Sequence, residues 1–213
     1  MSLDLIYGAR GETDASWRAT LEETLALAPD HVSAYALTIE PGTALGRAVS
    51  AGLTPPPDPD VQADRFGVAC EVLAAAGLVH YEVSNWALPG RESRHNLGYW
   101  RRDPYLGLGA GAHAFRGERR WWNVRPPQEY LDLVARGVLP IGGEEVLSAE
   151  DAAFEELALG LRILDGVPAA RFAESVYRPF LESGLLADDA GRLVPTERGM
   201  LVLNEVVLAL AGA

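Results

Sequence analysis

Apolar and polar positions repeat with two different periods along this chain, and the change of period divides it. The first part alternates short apolar runs with helical spacing. "LDLIYG" (3–8) reads as a strand closed by Gly8. "SWRATLEETLALA" (16–28) places Trp17, Leu21, Leu25 and Ala28 on one helix face, with Thr13 or Asp14 as the cap and Pro29-Asp30 as the stop. "HVSAYALTI" (31–39) has the composition of a buried strand. "EPGTALGRAVSAGLTPPPDPD" (40–60) reads as a loop or lid. "VQADRFGVACEVLAAAG" (61–77) is an amphipathic helix stopped by Gly77, and "LVHYEVSNW" (78–86) alternates like a strand. Strand and helix in alternation predict βαβ units and a parallel sheet. The sheet opens at once on a strand and carries at most three such strands.

Beyond residue 86 the pattern changes. "ALPGRESRHNLGYWRRDP" (87–104) reads as a long polar connection. "YLGLGAGAHAF" (105–115) has period two, and "RRWWNV" (119–124) is a further short strand. From Pro126 helical spacing takes over, in "PPQEYLDLVARG", "SAEDAAFEELALGLRILDG" and "YRPFLESGLL". A hairpin around Asp188-Asp189-Ala190-Gly191 and a capped apolar helix end the chain in a winged-helix-like order. The predicted organisation is α/β over residues 1–125 and a small helical domain over 126–213.

Composition narrows the chemistry. Of 213 residues 48% are hydrophobic, enough for a sizeable core, and no apolar run has the length of a transmembrane helix. The start, Met1-Ser2-Leu3-Asp4, has no basic leader pattern, so a cytoplasmic location is expected. A net charge of −12 disfavours a broad nucleic-acid surface. There is no lysine, which excludes Schiff-base and Walker-lysine chemistry. The single cysteine, Cys70, excludes a disulfide framework and an iron–sulfur cluster held by this chain's cysteines alone; its apolar helical context makes it a core thiol.

Charge is uneven. Arg91, Arg94, Arg101, Arg102, Arg116, Arg119 and Arg120 face only Glu92, Asp103 and Glu118 between positions 91 and 120. This excess of four positive charges in an acidic chain suits a small anionic ligand. "GLGAGAH" (107–113) fails as a dinucleotide loop because no helical pattern follows it; its small residues mark a backbone approached closely by a ligand or another strand. His113 reads as a hydrogen-bonded core histidine, and His31 and His80 as structural. His95 stands beside Arg94, Asn96, Tyr99 and Trp100. Imidazole, flat rings and guanidinium groups suit a porphyrin with carboxylate arms, and suit a capped loop equally well. Glu82, Ser84 and Asn85 end a predicted parallel strand, where α/β sheets place ligands; Asp4 and Glu40 are the polar residues of the earlier strands.

Taken together, "LDLIYG", "YALTIEPGT", "YEVSNWALPGRESRHNLGYWRRDPYLGLGAGAHAF", "RWWN" and "VPTERGMLVLN" resemble, in order and spacing, the HemW/HemN-like branch of radical SAM proteins over essentially the whole chain. Ala9, Arg10 and Glu12 depart from that branch's usual "LIYGLPGQT", and Gly98 from "HNLNYW". The resemblance implies the second half of a partial TIM-like (β/α) barrel followed by a small, helical, winged-helix-like C-terminal domain. It also implies haem binding, with His95 as the iron ligand and Arg94, Asn96, Tyr99 and Trp100 around it. Asp4 and Thr38 match positions near S-adenosyl-L-methionine. The branch's CxxxCxxC motif has no counterpart here, so a [4Fe–4S] cluster, and catalysis by this chain alone, are not expected. The function implied is haem trafficking, with haem or a porphyrin, a haem-accepting protein, or an N-terminal-half polypeptide as partner. The alternative is a remnant or subunit of an oxygen-independent coproporphyrinogen III oxidase-type enzyme.

Overall fold

The computed structural model describes residues 1–212, which form two compact units. The first comprises Met1–Glu92 and Thr196–Leu201. Its elements are β1 (Ser2–Tyr7), α1 (Asp14–Ala26), β2 (His31–Ala36), α2 (Ala44–Ser50), α3 (Pro59–Ala75), β3 (Val79–Glu82) and β4 (Asn85–Ala87). Helix starts follow capping chemistry. Thr13 Oγ1 accepts from the Ser16 amide at 3.1 Å while Ser16 Oγ accepts from the Thr13 amide at 2.8 Å, closing a reciprocal box on α1. Asp58 caps α3, whose first residue is Pro59, and Gly77 ends it at φ +85°. Residues 44–50, expected as part of a loop, form α2 with Thr43 as its cap.

The sheet order is β1-β2-β4-β3. β1 and β2 pair in parallel, from Ser2↔His31 to Tyr7↔Ala36. The expected third parallel strand is instead a hairpin. β4 pairs antiparallel with β2 through Val32↔Trp86, and β3 pairs antiparallel with β4 through His80↔Trp86. The chain reverses within Glu82–Asn85, so a segment with one apolar period supplies two strands. Glu82 and Asn85 are buried at this turn, and Glu82 Oε1 accepts from the Ser84 amide at 3.1 Å. The polar groups at the end of the expected strand build a turn.

Trp17, Leu21, Val32, Phe66, Leu73 and Trp86 are buried in the core between the helices and the sheet. Trp17 also donates its indole N–H to the Arg65 carbonyl at 2.9 Å, which satisfies the polar edge of a large buried ring. The expected α1 face is corrected at one end: Ala28 is exposed at φ +50°, past the helix, and Thr24 takes the buried position.

The second unit comprises Ser93–Pro195 and the residues from Val202 on. It contains α4 (Arg94–Trp100), β5 (His113–Arg116), β6 (Arg119–Asn123), α5 (Pro127–Ala135), β7 (Ile141–Val146), α6 (Ala149–Gly160), β8 (Val167–Pro168), α7 (Glu174–Glu182), β9 (Leu186–Asp189) and β10 (Arg192–Pro195). The end of the chain divides into α8 (Glu197–Leu201), which counts with the first unit, and α9 (Leu203–Ala211), where one helix was expected. Two antiparallel three-stranded sheets run β5-β6-β7 and β8-β10-β9. The β9–β10 turn falls where expected, with Ala190 and Gly191 at φ +52° and +82°. β7 was not expected. Gly143 lies opposite Trp122, and a side chain there would meet the indole at 2.5 Å, so the strand carries glycine where composition argues against one.

No helix among the described residues is long and apolar enough to cross a membrane.

Candidate functional site

The segment expected as a polar connection contains α4, and both of its ends are built by specific residues. Ser93 Oγ accepts from the Asn96 amide at 3.4 Å at the start. At the end, the Asp103 amide bonds the Gly98 carbonyl at 2.8 Å and the Arg102 amide bonds the Tyr99 carbonyl at 3.1 Å. This is the Schellman pattern, which requires a left-handed residue, and Arg102 supplies it at φ +56°. Glycine would adopt that conformation without strain; an arginine costs about 1 kcal/mol more.

α4 presents His95 and Tyr99 exposed, with Asn96 and Trp100 half-buried. Their spacing of four puts the His95 and Tyr99 rings together, edge to face at 4.7 Å. The row continues to Tyr105, edge to face at 4.7 Å, and to Phe115 at 6.2 Å. Tyr105 and Phe115 are held by a backbone bridge in both directions, 2.9 and 3.0 Å. Beside this row, the Arg162 guanidinium lies 5.3 Å from the Trp100 ring. The Trp100 indole N–H is buried without a partner.

The alternating stretch before β5 is mostly irregular. Gly109 and Gly111 take φ +109° and +70°, which breaks a strand. At Gly107 a side chain would meet the His113 carbonyl oxygen at 2.2 Å. The close approach expected of these small residues is to a neighbouring backbone. His113 is exposed on β5, 5.7 Å from Trp122, so its reading as a buried core histidine is corrected. His31 and His80 are structural. His31 bonds Ser2 Oγ at 3.0 Å and the Tyr81 hydroxyl at 2.7 Å, and His80 stacks on Trp86 at 4.2 Å. Burial pushes the His80 pKa down to about 4, against smaller opposing contributions from the backbone of Val83 and Glu82.

The basic island is largely neutralised within the fold. Arg101 pairs with Asp165 at 2.8 Å, and Arg102 with Glu118 at 3.1 Å and Glu155 at 3.4 Å. Arg119 pairs with Glu144, and Arg120 with Glu145 at 3.2 Å and with Glu155. Arg91 lies 3.8 Å from Asp30. Among the described residues, Arg94 and Arg116 carry no ion pair. Glu155 was not singled out from the sequence, since it lies 35 residues from Arg120 in an ordinary helical pattern.

The remaining candidates lie in the first unit. Asp4 is exposed on β1 in register with Ser33, and Thr38 is exposed beyond β2. Thr38 lies two residues beyond the end of β2, five positions along the chain from the Ser33 that is in register with Asp4. Of the departures noted in the sequence, Glu12 has a clear place: its carboxylate accepts from the Gly8 amide at 2.8 Å and pairs with the buried Arg65 at 3.4 Å, while Asp14 also pairs with Arg65. Glu40 is exposed, with its carbonyl accepting from the Thr43 hydroxyl at 2.8 Å.

An iron–sulfur cluster does not fit these residues. Cys70 is buried on α3, and desolvation, with Glu197 adding to it, pushes its thiol up to about 12. Among the described residues no group of three histidine, cysteine or acidic side chains is placed to hold a metal ion. A haem fits better, because it needs one exposed imidazole, flat apolar neighbours and cations for its carboxylates.

Known proteins resemble this chain in sequence and in fold. Residues 147–202 match the HemN C-terminal domain. The "Heme chaperone HemW" of Mycobacterium tuberculosis is 44% identical over 100% of this chain and 55% of its own length. That of Bacillus subtilis is 34% identical over 100% of this chain and 59% of its own. Coproporphyrinogen III oxidase (HemN) from Escherichia coli, a radical SAM enzyme, has the same fold over 99% of this chain and 54% of its own, with a TM-score of 0.71 at 19% identity. The chain spans about half the length of the curated relatives it matches. It belongs to the HemW/HemN-like family.

Proposed function

We propose that this chain binds haem for transfer to another protein, and that His95 on α4 is the iron ligand. The observation that carries this is the placement of an exposed imidazole at the head of an aromatic row, edge to face with Tyr99 at 4.7 Å. Asn96 and Trp100 lie on the same helix, and Arg94 is a free cation beside them. A bound haem would supply an iron centre; the protein's part is to coordinate it, cover it and let it go. An oxidase-type role would need cluster ligands that one buried cysteine does not supply. We assign the α/β part to the second half of a partial barrel, with Asp4 and Thr38 facing S-adenosyl-L-methionine in a longer protein or a complex with an N-terminal-half polypeptide. The strand, turn, helix and hairpin order from Val167 to Pro195 is taken as a winged-helix-like terminal domain. The site of action is taken to be the cytoplasm.

Haem titration followed at the Soret band tests the reading. Wild type is expected to give a saturable shift, and His95→Ala to weaken binding about tenfold or more and change the ligand-field bands. Unchanged binding and spectrum in His95→Ala would overturn the assignment.

A further inference from the structure

Along the aromatic row, from Tyr99 to Phe115, lies a small cavity of about 130 Å³. Tyr99, Tyr105, Phe115 and Leu159 form its apolar wall, and Arg102, Arg120 and Glu155 its polar side. Both guanidinium groups lie over the Phe115 ring, at 5.1 and 5.8 Å. Both also converge on the one carboxylate of Glu155, Arg102 at 3.4 Å on one oxygen and Arg120 on the other. The side chains of Arg102 and Glu155 are only 14% and 23% exposed, so this is a partly desolvated cluster in which two cations share an anion. Their other partners, Glu118 and Glu145, are half-exposed and individually weak. The Arg102 Nε is buried without a hydrogen bond of good geometry.

The backbone adds a second, independent observation. Arg102 occupies a left-handed helix end, where glycine would be free of strain. The arginine there carries a conformational cost, and its side chain lies in this cavity.

We infer that this cavity is a carboxylate-binding site: Arg102 and Arg120 take a carboxylate arm of the ligand whose iron sits at His95, and Glu155 holds the two guanidinium groups until that arm displaces it. The inference rests on the haem reading above. The volume admits a propionate arm and excludes a tetrapyrrole ring, so the macrocycle stays outside the cavity, at the exposed His95 and Tyr99. The row reaches Phe115 in ring-to-ring steps of 4.7, 4.7 and 6.2 Å, with both arginines beside its end. Guanidinium pairs suit this role because each can present two parallel N–H donors to a carboxylate.

The test compares haem with haem dimethyl ester, which lacks the charged arms, in binding titrations on the full chain. Wild type is expected to prefer the diacid by about tenfold. Arg120→Gln and Arg102→Gly are expected to bring that preference to within about twofold. Arg102→Gly relaxes the left-handed residue while removing the guanidinium, so it tests the side chain in a backbone that still folds, checked by thermal unfolding. Glu155→Gln removes the internal competitor and is expected to raise diacid affinity several-fold, whereas an ion pair that only supports the fold would give no gain. A diacid preference unchanged in both arginine variants, or no gain in Glu155→Gln, overturns this inference and leaves the haem reading intact. Absence of haem binding by wild type overturns both.

Discussion

His80 is a half-buried base whose environment opposes its charge. Its ring stacks on Trp86 at 4.2 Å and 9°, and its pKa falls to about 4 from 6.5 because burial penalises the imidazolium. The unfolded chain therefore binds a proton at higher pH than the folded one. Stability is full above about pH 6.5 and is lost as pH falls toward 4, by on the order of 3 kcal/mol for this group alone. His31, lowered mainly by burial, acts in the same direction. Urea denaturation between pH 7 and 4 is expected to show a falling midpoint in wild type and a flatter one in His80→Phe, which keeps a ring on Trp86 without the proton. At this scale the sequence was informative about residue type and poor about partners. Cys70 is the core thiol its helical context implied. The arginine island was visible, but its neutralisation was not, because the acids that pair with it stand up to 64 residues away. Local charge counts a neighbourhood along the chain, while ion pairs form across it.

The two elements that shape the candidate site, α4 and the irregular run before β5, were the hardest to read. α4 has seven residues, none of them buried, and includes a glycine, so no hydrophobic period marks it. Its caps were the available signal: a serine ahead of it and a polar run behind. "YLGLGAGAHAF" shows the opposite failure, since period two is a strand signal that Gly109 and Gly111 break with positive φ. Gly107 gives this element its test. A methyl group there would overlap the His113 carbonyl oxygen at 2.2 Å, and the backbone on both sides is held by the Tyr105–Phe115 bridge. Gly107→Ala is expected to destabilise the second unit by about 1–3 kcal/mol, read as a lowered thermal midpoint, with loss of the His95-dependent Soret change as the aromatic row shifts. The long helices α1 and α3, with strong caps, were legible to within two residues at each end. The β3–β4 hairpin was not, because its turn is made by buried polar side chains instead of glycine or proline.

Across the whole molecule, an acidic chain carries one arginine-rich stretch whose charges are mostly answered locally. A free basic island would draw an anionic ligand from a distance, and salt would slow that approach. Here the far field is that of a chain with net charge −12, which repels such a ligand. Salt shortens the reach of that repulsion from about 30 Å at 0.01 M to about 10 Å at 0.1 M. It also loosens the shared hold of Arg102 and Arg120 on Glu155. The association rate constant for haem, followed by stopped flow, is therefore expected to rise or stay level from about 0.01 to 0.5 M salt; a steep fall would show that unpaired arginines steer the encounter. The Glu155 bridge thereby acts as a kinetic latch. Capture proceeds by exchange of one carboxylate for another, and release by the reverse exchange, so Glu155 gives the ligand a way out as well as a barrier on the way in.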